Sequence, residues 1–254
     1  MAEGRGAAST LRGRLADVYV PALVDGSLQA LSRRLGNRAT IDDPVFGRAS
    51  TLSSIDPLLE KVARRFDAMA ARYRHIASAT GVDRDVSEGV LVVDAPSGPS
   101  ELPIAVVAER RRLREIELRV YYATGSEERR ARPPLIDGDP HVLIPQIVAH
   151  VLDALRKGAV ERVLSAFEES SRFVDPTGRS YAKRDGSMAS FIADVGGRLE
   201  LVPAGAADDG RTCCIEAVVT RQGSSRRPDA ESAAMSFERG DSGLLRELRL
   251  YYEP

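Results

Sequence analysis

The chain has 254 residues, with 36 basic and 37 acidic side chains and a net charge of −1 at pH 7. That length suits one large domain or two ordinary ones. The even charge balance supplies no field that would gather nucleic acid, an anionic membrane or an acidic substrate. No stretch approaches the roughly 20 apolar residues a membrane span needs, and no leader-like segment opens the sequence, so a soluble, cytoplasmic protein is expected.

Residues 1–8 are small, charged and glycine-containing and read as a disordered tail. Leu11, Leu15, Val18, Tyr19 and Ala22 then fall on one helical face. A shorter helix is expected near Ser27 to Leu35, followed by a strand ending at Asp43. A third helix, about Ser53 to Ala71, carries Ile55, Leu58, Leu59, Val62 and Phe66. After it the apolar period drops toward two, predicting strands near Arg72–Thr80, Val86–Val93, Glu101–Glu109 and Leu113–Ala123. The order then recurs, with Ile144, Ile147, Val148, Val151, Leu152 and Leu155 on a new first helix.

The recurrence is visible in the letters. "ELRVYY" at Glu117–Tyr122 returns as "ELRLYY" at Glu247–Tyr252, and "RATIDDPVFG" at Arg38–Gly47 returns as "SRFVDPTGR" at Ser171–Arg179. Gly26 and Gly158 keep the same spacing to the two Asp-Pro pairs. A repeat of this length is a whole domain and not a solenoid unit. The charged, proline-bearing "GSEERRARPPLIDGD" between the copies reads as a linker. The expected domains are therefore 9–124 and 139–254, joined by a linker at 125–138. Helices followed by strands predict an α+β layer fold, three helices packed on a curved antiparallel sheet in each copy.

The segment "YVPALVDGSLQALSRRLGNRATIDDPVFG", together with the closing strand that carries Arg119, Tyr121 and Tyr122, resembles the SnoaL-like and ketosteroid-isomerase-like branch of the nuclear transport factor 2-like (NTF2-like) superfamily. The resemblance implies two tandem cones, each wrapping an apolar pocket. It also implies that the two copies pair through their outer sheet faces as an intrachain pseudo-dimer, with a homo-oligomer as a further option. In the isomerases of that family the Asp at the position of Asp43 moves a proton beside a carbonyl, and a tyrosine at the position of Tyr19 donates to the enolate oxygen. The implied activity is a cofactor-independent isomerase or cyclase acting on a small apolar or cyclic carbonyl compound, without a metal. The alternative is a noncatalytic ligand-binding or protein-assembly module with degenerate pockets. Counted back from the last strand, the family's second oxyanion donor falls on Ala105 and on Met235, neither of which can donate. Val151 stands at the tyrosine position of the second copy, and Pro21 interrupts the expected helix two residues after Tyr19.

Asp43 and Asp175 each have a second reading as carboxylates that close a turn. Phe46, His75, His150 and Asp175 are the remaining candidates for lining a pocket. The three histidines are too dispersed for a metal site. "ERRRLRE" at Glu109–Glu115 reads as a charged hairpin, and Glu238 as a rim position. Cys213 and Cys214 are neighbours whose side chains point to opposite faces of a strand, which argues against a disulfide.

Overall fold

A computed structural model describes residues 13–95, 98–111, 115–123, 136–221 and 230–252. The proposed tail, Leu11, most of the linker and the tip of the basic hairpin lie outside them. In the first half α1 (Leu15–Asp25), α2 (Leu28–Leu35), β1 (Ala39–Asp43), β2 (Gly47–Ala49) and α3 (Leu52–Ala68) precede four long strands, β3 (Arg72–Thr80), β4 (Arg84–Ala95), β5 (Gly98–Arg110) and β6 (Ile116–Tyr122). The second half repeats this with α4 (Gln146–Arg156), α5 (Val160–Ser165), β7 (Phe167–Val174), β8 (Ser180–Ala182), α6 (Ser187–Val195), β9 (Leu199–Asp208), β10 (Thr212–Arg221), β11 (Glu231–Arg239) and β12 (Leu245–Tyr251).

Local chemistry sets the boundaries. α1 continues through Pro21 and ends where Gly26 turns left-handed at φ 78°, a conformation open to glycine at no steric cost. α3 starts at Thr51, whose backbone N–H donates to Ser54 Oγ at 3.1 Å. It stops at Ala68, short of the expected Ala71, because Ala70 adopts φ 48° and turns the chain into β3.

The sheets run β2-β1-β6-β5-β4-β3 and β8-β7-β12-β11-β10-β9. The sequence predicts antiparallel sheets, and neither is wholly so: β1 lies parallel to β6 (Ile41 opposite Leu118) and β7 parallel to β12 (Phe173 opposite Leu248). The long excursion through a helix and three antiparallel strands returns the last strand in the direction of the first. The protein is thus an α+β tandem of two domains with one topology, each with three α-helices and a six-stranded mixed sheet. Within the first, the helices press Tyr19, Leu31, Ile55, Leu59 and Phe66 against the inner face of the sheet, where Leu91, Ile104 and Val120 wait.

The outer faces meet each other. Ala79, Val86, Ala105, Val107 and Tyr121 form one buried cluster with Ala207, Cys214, Ala234 and Tyr251 of the second half. The small side chains let the two sheets approach closely, and two ionic clamps cross between them. Arg119 donates from Nε and Nη2 to the two carboxylate oxygens of Glu216, each at 2.7 Å, and Tyr121 adds a bond of 2.6 Å to Oε1. The reciprocal clamp joins Arg249 Nε to Glu88 Oε2 at 2.9 Å and Tyr251 Oη to the same oxygen at 2.7 Å. Ser236 donates to Glu88 Oε1 at 2.6 Å. The arginine and first tyrosine of the repeated "ELR-YY" therefore face the other domain, while the second tyrosine faces its own interior.

Candidate functional site

In the first domain β1 carries Asp43 to the base of the cone, where Pro44 ends the strand. Asp43 is fully buried. Its Oδ1 accepts the backbone N–H groups of Val45 and Phe46, each at 2.9 Å. Tyr122, from the end of β6, donates to the same carboxylate at 3.2–3.3 Å and stands edge-on to Phe66 of α3, with ring centroids 6.5 Å apart. Tyr19 enters from α1, also buried, and its hydroxyl has no hydrogen-bond partner. Burial, then the charge of Asp43, pushes the Tyr19 phenol well above its ordinary pKa. Burial first and Asp43 second do the same to Tyr122. One carboxylate thus sits between two firmly protonated phenols, the arrangement that an oxyanion would meet as donors.

Phe46 is half-buried and packs against the first core. His75 is exposed; it pairs with Gly89, in phase with the Tyr73–Leu91 pair, and lies just ahead of a bulge that puts Ala77 on the other face. Its Nε2 lies 2.8 Å from Ser78 Oγ, which donates to Asp17 Oδ1 at 2.6 Å. His150 bonds the Arg162 carbonyl at 3.2 Å, tying α4 to α5, and is not among the cavity walls of the second domain. Asp175 holds a turn: Oδ1 accepts from Thr177 N, Thr177 Oγ1 and Arg179 N at 2.6–3.1 Å, and Oδ2 from Tyr181 at 3.1 Å. Ala105 belongs to the cluster between the domains, so counting along the strand put it on the wrong face; Ile104 and Val106 are its inward neighbours. Met235 does face its own interior. Glu238 is buried and accepts from Arg249 Nη1 at 3.1 Å.

The second interior contains a cavity whose walls sequence reasoning did not identify. Its walls include Phe167, Phe173, Met188, Phe191, Ala233 and Leu250, with Glu231 and Tyr252 among the few polar groups. It encloses about 50 Å³, and about 850 Å³ when the gaps between its walls and the open mouth are counted. Strand pairing explains why the space is there. Tyr122 lies opposite the residue next to Ala105, namely Ile104; Tyr251 lies opposite Ala234, so Ala233 takes the place of Ile104. By the same registers Val219 replaces Leu91 and Glu231 replaces Leu102. α6 has 9 residues where α3 has 17, which leaves Tyr252, the counterpart of Tyr122, on the cavity wall. The signal was in the letters as a run of smaller residues, legible only once the strands were aligned.

Among the described residues no group of three or more His, Cys, Asp or Glu could hold a metal ion, and no helix is long and apolar enough to cross a membrane. No protein-family model matches the chain, nor does any curated protein. Solved structures similar to it include an NTF2-like protein of unknown function from Cytophaga hutchinsonii, 15% identical over 45% of this chain and 95% of that one, with a TM-score of 0.35. A putative ketosteroid isomerase from Kribbella flavida is 19% identical over 42% of this chain and 78% of its own, TM-score 0.35. A ketosteroid isomerase-like protein from Catenulispora acidiphila, in complex with trimethylamine, is 19% identical over 46% and 90%, TM-score 0.36. Each likeness spans less than half of this chain.

Proposed function

We propose that the protein binds a small apolar molecule in the cavity of its second domain. The observation that carries this reading is the composition of the cavity wall, aromatic and aliphatic almost throughout, with Glu231 and Tyr252 among its few polar members. Pockets for drug-sized ligands run to ~300–1,000 Å³ and a benzene-sized ring takes ~150 Å³, so a one-ring ligand or thin chain fits the enclosed space of about 50 Å³ only as Phe191 or Met188 changes rotamer. Calorimetric titration of the full chain with cyclohexylmethanol tests this. Saturable binding in the wild type and none in Ala233→Leu, which refills the space, is the expected result. Equal binding by both would place the ligand elsewhere.

A second reading rests on Tyr19: its buried, unpartnered hydroxyl beside Asp43 is suited to an oxyanion, which favours proton transfer next to a carbonyl in the first domain, with Asp43 as base. Deuterium exchange at the α-carbon of a panel of cyclic ketones, followed by NMR in wild type and Asp43→Asn, tests it. Equal exchange rates would remove Asp43 from any such chemistry.

A further inference from the structure

We infer that Asp175 is a positioning residue that sets the size limit of the second-domain cavity: its bond to Tyr181 keeps Phe191 turned inward, and releasing that bond makes room for a ring. This rests on the reading of that cavity as the ligand site. Phe173, Phe191 and Tyr181 form a closed triangle of rings, Phe191 standing 4.5 Å from Phe173 and 4.6 Å from Tyr181 by centroid, with 6.1 Å between the other two. Phe173 and Phe191 line the space, and Tyr181 backs them without being one of its walls. Of the two α6 side chains whose movement would enlarge the space, Met188 is fully enclosed and Phe191 is half-buried. Phe191 is therefore the one with solvent to swing toward, and Tyr181 stands against it.

Tyr181 is itself tied down. Its hydroxyl donates to Asp175 Oδ2 at 3.1 Å, and the Arg179 guanidinium lies 5.0 Å from its ring centroid. Asp175 is held in turn, because Oδ1 accepts from Thr177 N, Thr177 Oγ1 and Arg179 N. The first domain lacks this device. Ile41 lies opposite Ala49 as Phe173 lies opposite Tyr181, so a methyl group stands where the second domain has a phenol, and Asp43 takes Tyr122 instead. The carboxylate of the second Asp-Pro has thus exchanged an interior partner for one on the outer side of a cavity wall. A space of about 50 Å³ reaches the ~150 Å³ of a ring only in molecules whose Phe191 is displaced, and apparent affinity is reduced by the fraction so displaced. Each contact that restrains Tyr181 lowers that fraction. Removing one should tighten the binding of a ring, the opposite sign from a residue that touches the ligand or merely supports the wall.

The test titrates the full chain by calorimetry with cyclohexylmethanol and with the two-ring 2-naphthalenemethanol. Tyr181→Phe keeps the ring and removes only the bond; Asp175→Asn keeps the Oδ1 acceptor of the turn and replaces the oxygen that Tyr181 uses. Both variants should bind cyclohexylmethanol about 3- to 10-fold tighter than wild type. The gain for 2-naphthalenemethanol, which needs the larger displacement, should be at least as great. Should Asp175→Asn loosen the turn, Tyr181→Phe decides alone. Unchanged or weaker binding by Tyr181→Phe, with wild-type binding that Ala233→Leu abolishes, would overturn the inference and leave the cavity reading in place. Absence of binding by wild type and both variants, or equal binding by Ala233→Leu, would remove the cavity reading and this inference with it.

Discussion

Replacing Glu216 by Gln keeps its shape and removes its charge at the centre of one inter-domain clamp. Glu216 accepts Arg119 Nε and Nη2 at 2.7 Å each and Tyr121 at 2.6 Å, while Arg84 Nε stands 3.5 Å away. The Arg119 side chain is fully buried and that of Glu216 nearly so, at 0% and 1% exposed. Leaving one partner of a buried ion pair uncompensated typically costs ~3–5 kcal/mol. Arg119 would still touch Glu109 at 2.5 Å and Glu117 at 3.2 Å, so the lower end, about 3 kcal/mol, is expected. For a chain of this size that is a fall in Tm of about 6–12 °C. Thermal and urea unfolding followed by circular dichroism measures it. A double variant, Arg119→Met with Glu216→Leu, should recover most of the loss, because an apolar pair removes both desolvation penalties. A Glu216→Gln loss below about 1 kcal/mol, or a double variant as unstable as the sum of its singles, would show that the clamp is not a coupled unit.

Three further outcomes follow from the same geometry. Burial pushes the carboxyls of Glu216 and Glu109 up, but Arg119 and Arg84 outweigh it and hold both below their ordinary value of 4.5; a depressed folded pKa contributes stability above 4.5 that is lost as pH falls through the folded values, so the urea midpoint should be flat above pH 5 and drop in acid, less steeply in Glu216→Gln. A midpoint that rises on acidification would contradict this. Burial lifts the Cys213 thiol to about 12 and Cys214 well above its usual range, so Ellman's reagent at pH 8 should label neither thiol in the native protein and both in urea; rapid native labelling would be the contrary result. A Cβ on Gly205 would lie 1.0 Å from Arg84 Nη1, so Gly205→Ala should lower stability by about 1–3 kcal/mol by driving Arg84 from its carboxylates, with unchanged urea unfolding as the outcome that would refute the packing.

The fold was legible because apolar periodicity and a duplicated text pointed the same way: β3 begins and ends at the expected residues, and Asp43 closes β1 as its Asp-Pro suggested. Tyr19 and Asp43 were singled out by the family resemblance, and both are buried in the first domain. What escaped was whatever depended on a strand's phase. Ala105 was put inside the cone, yet the pairing of Ala105 with Tyr121 sets it between the domains. The bulge after His75 puts Ala77 on the opposite face from Tyr73 and His75, and a single inserted residue is invisible to period-two counting. The clamps escaped because Glu88 and Arg249 are 161 positions apart, and nothing local marks a charge as bound for burial.

The strands β11 and β12 alternate between two duties. Ala233 and Met235 line the second cavity while Ala234 and Ser236 face the first domain; Leu248 and Leu250 look inward while Arg249 and Tyr251 look outward. The interior of the second domain can accordingly be recut one residue at a time without touching the residues that join it to its neighbour. The tandem offers an inner chamber that is adjustable by substitution at every second position and a fixed wall to hang it on.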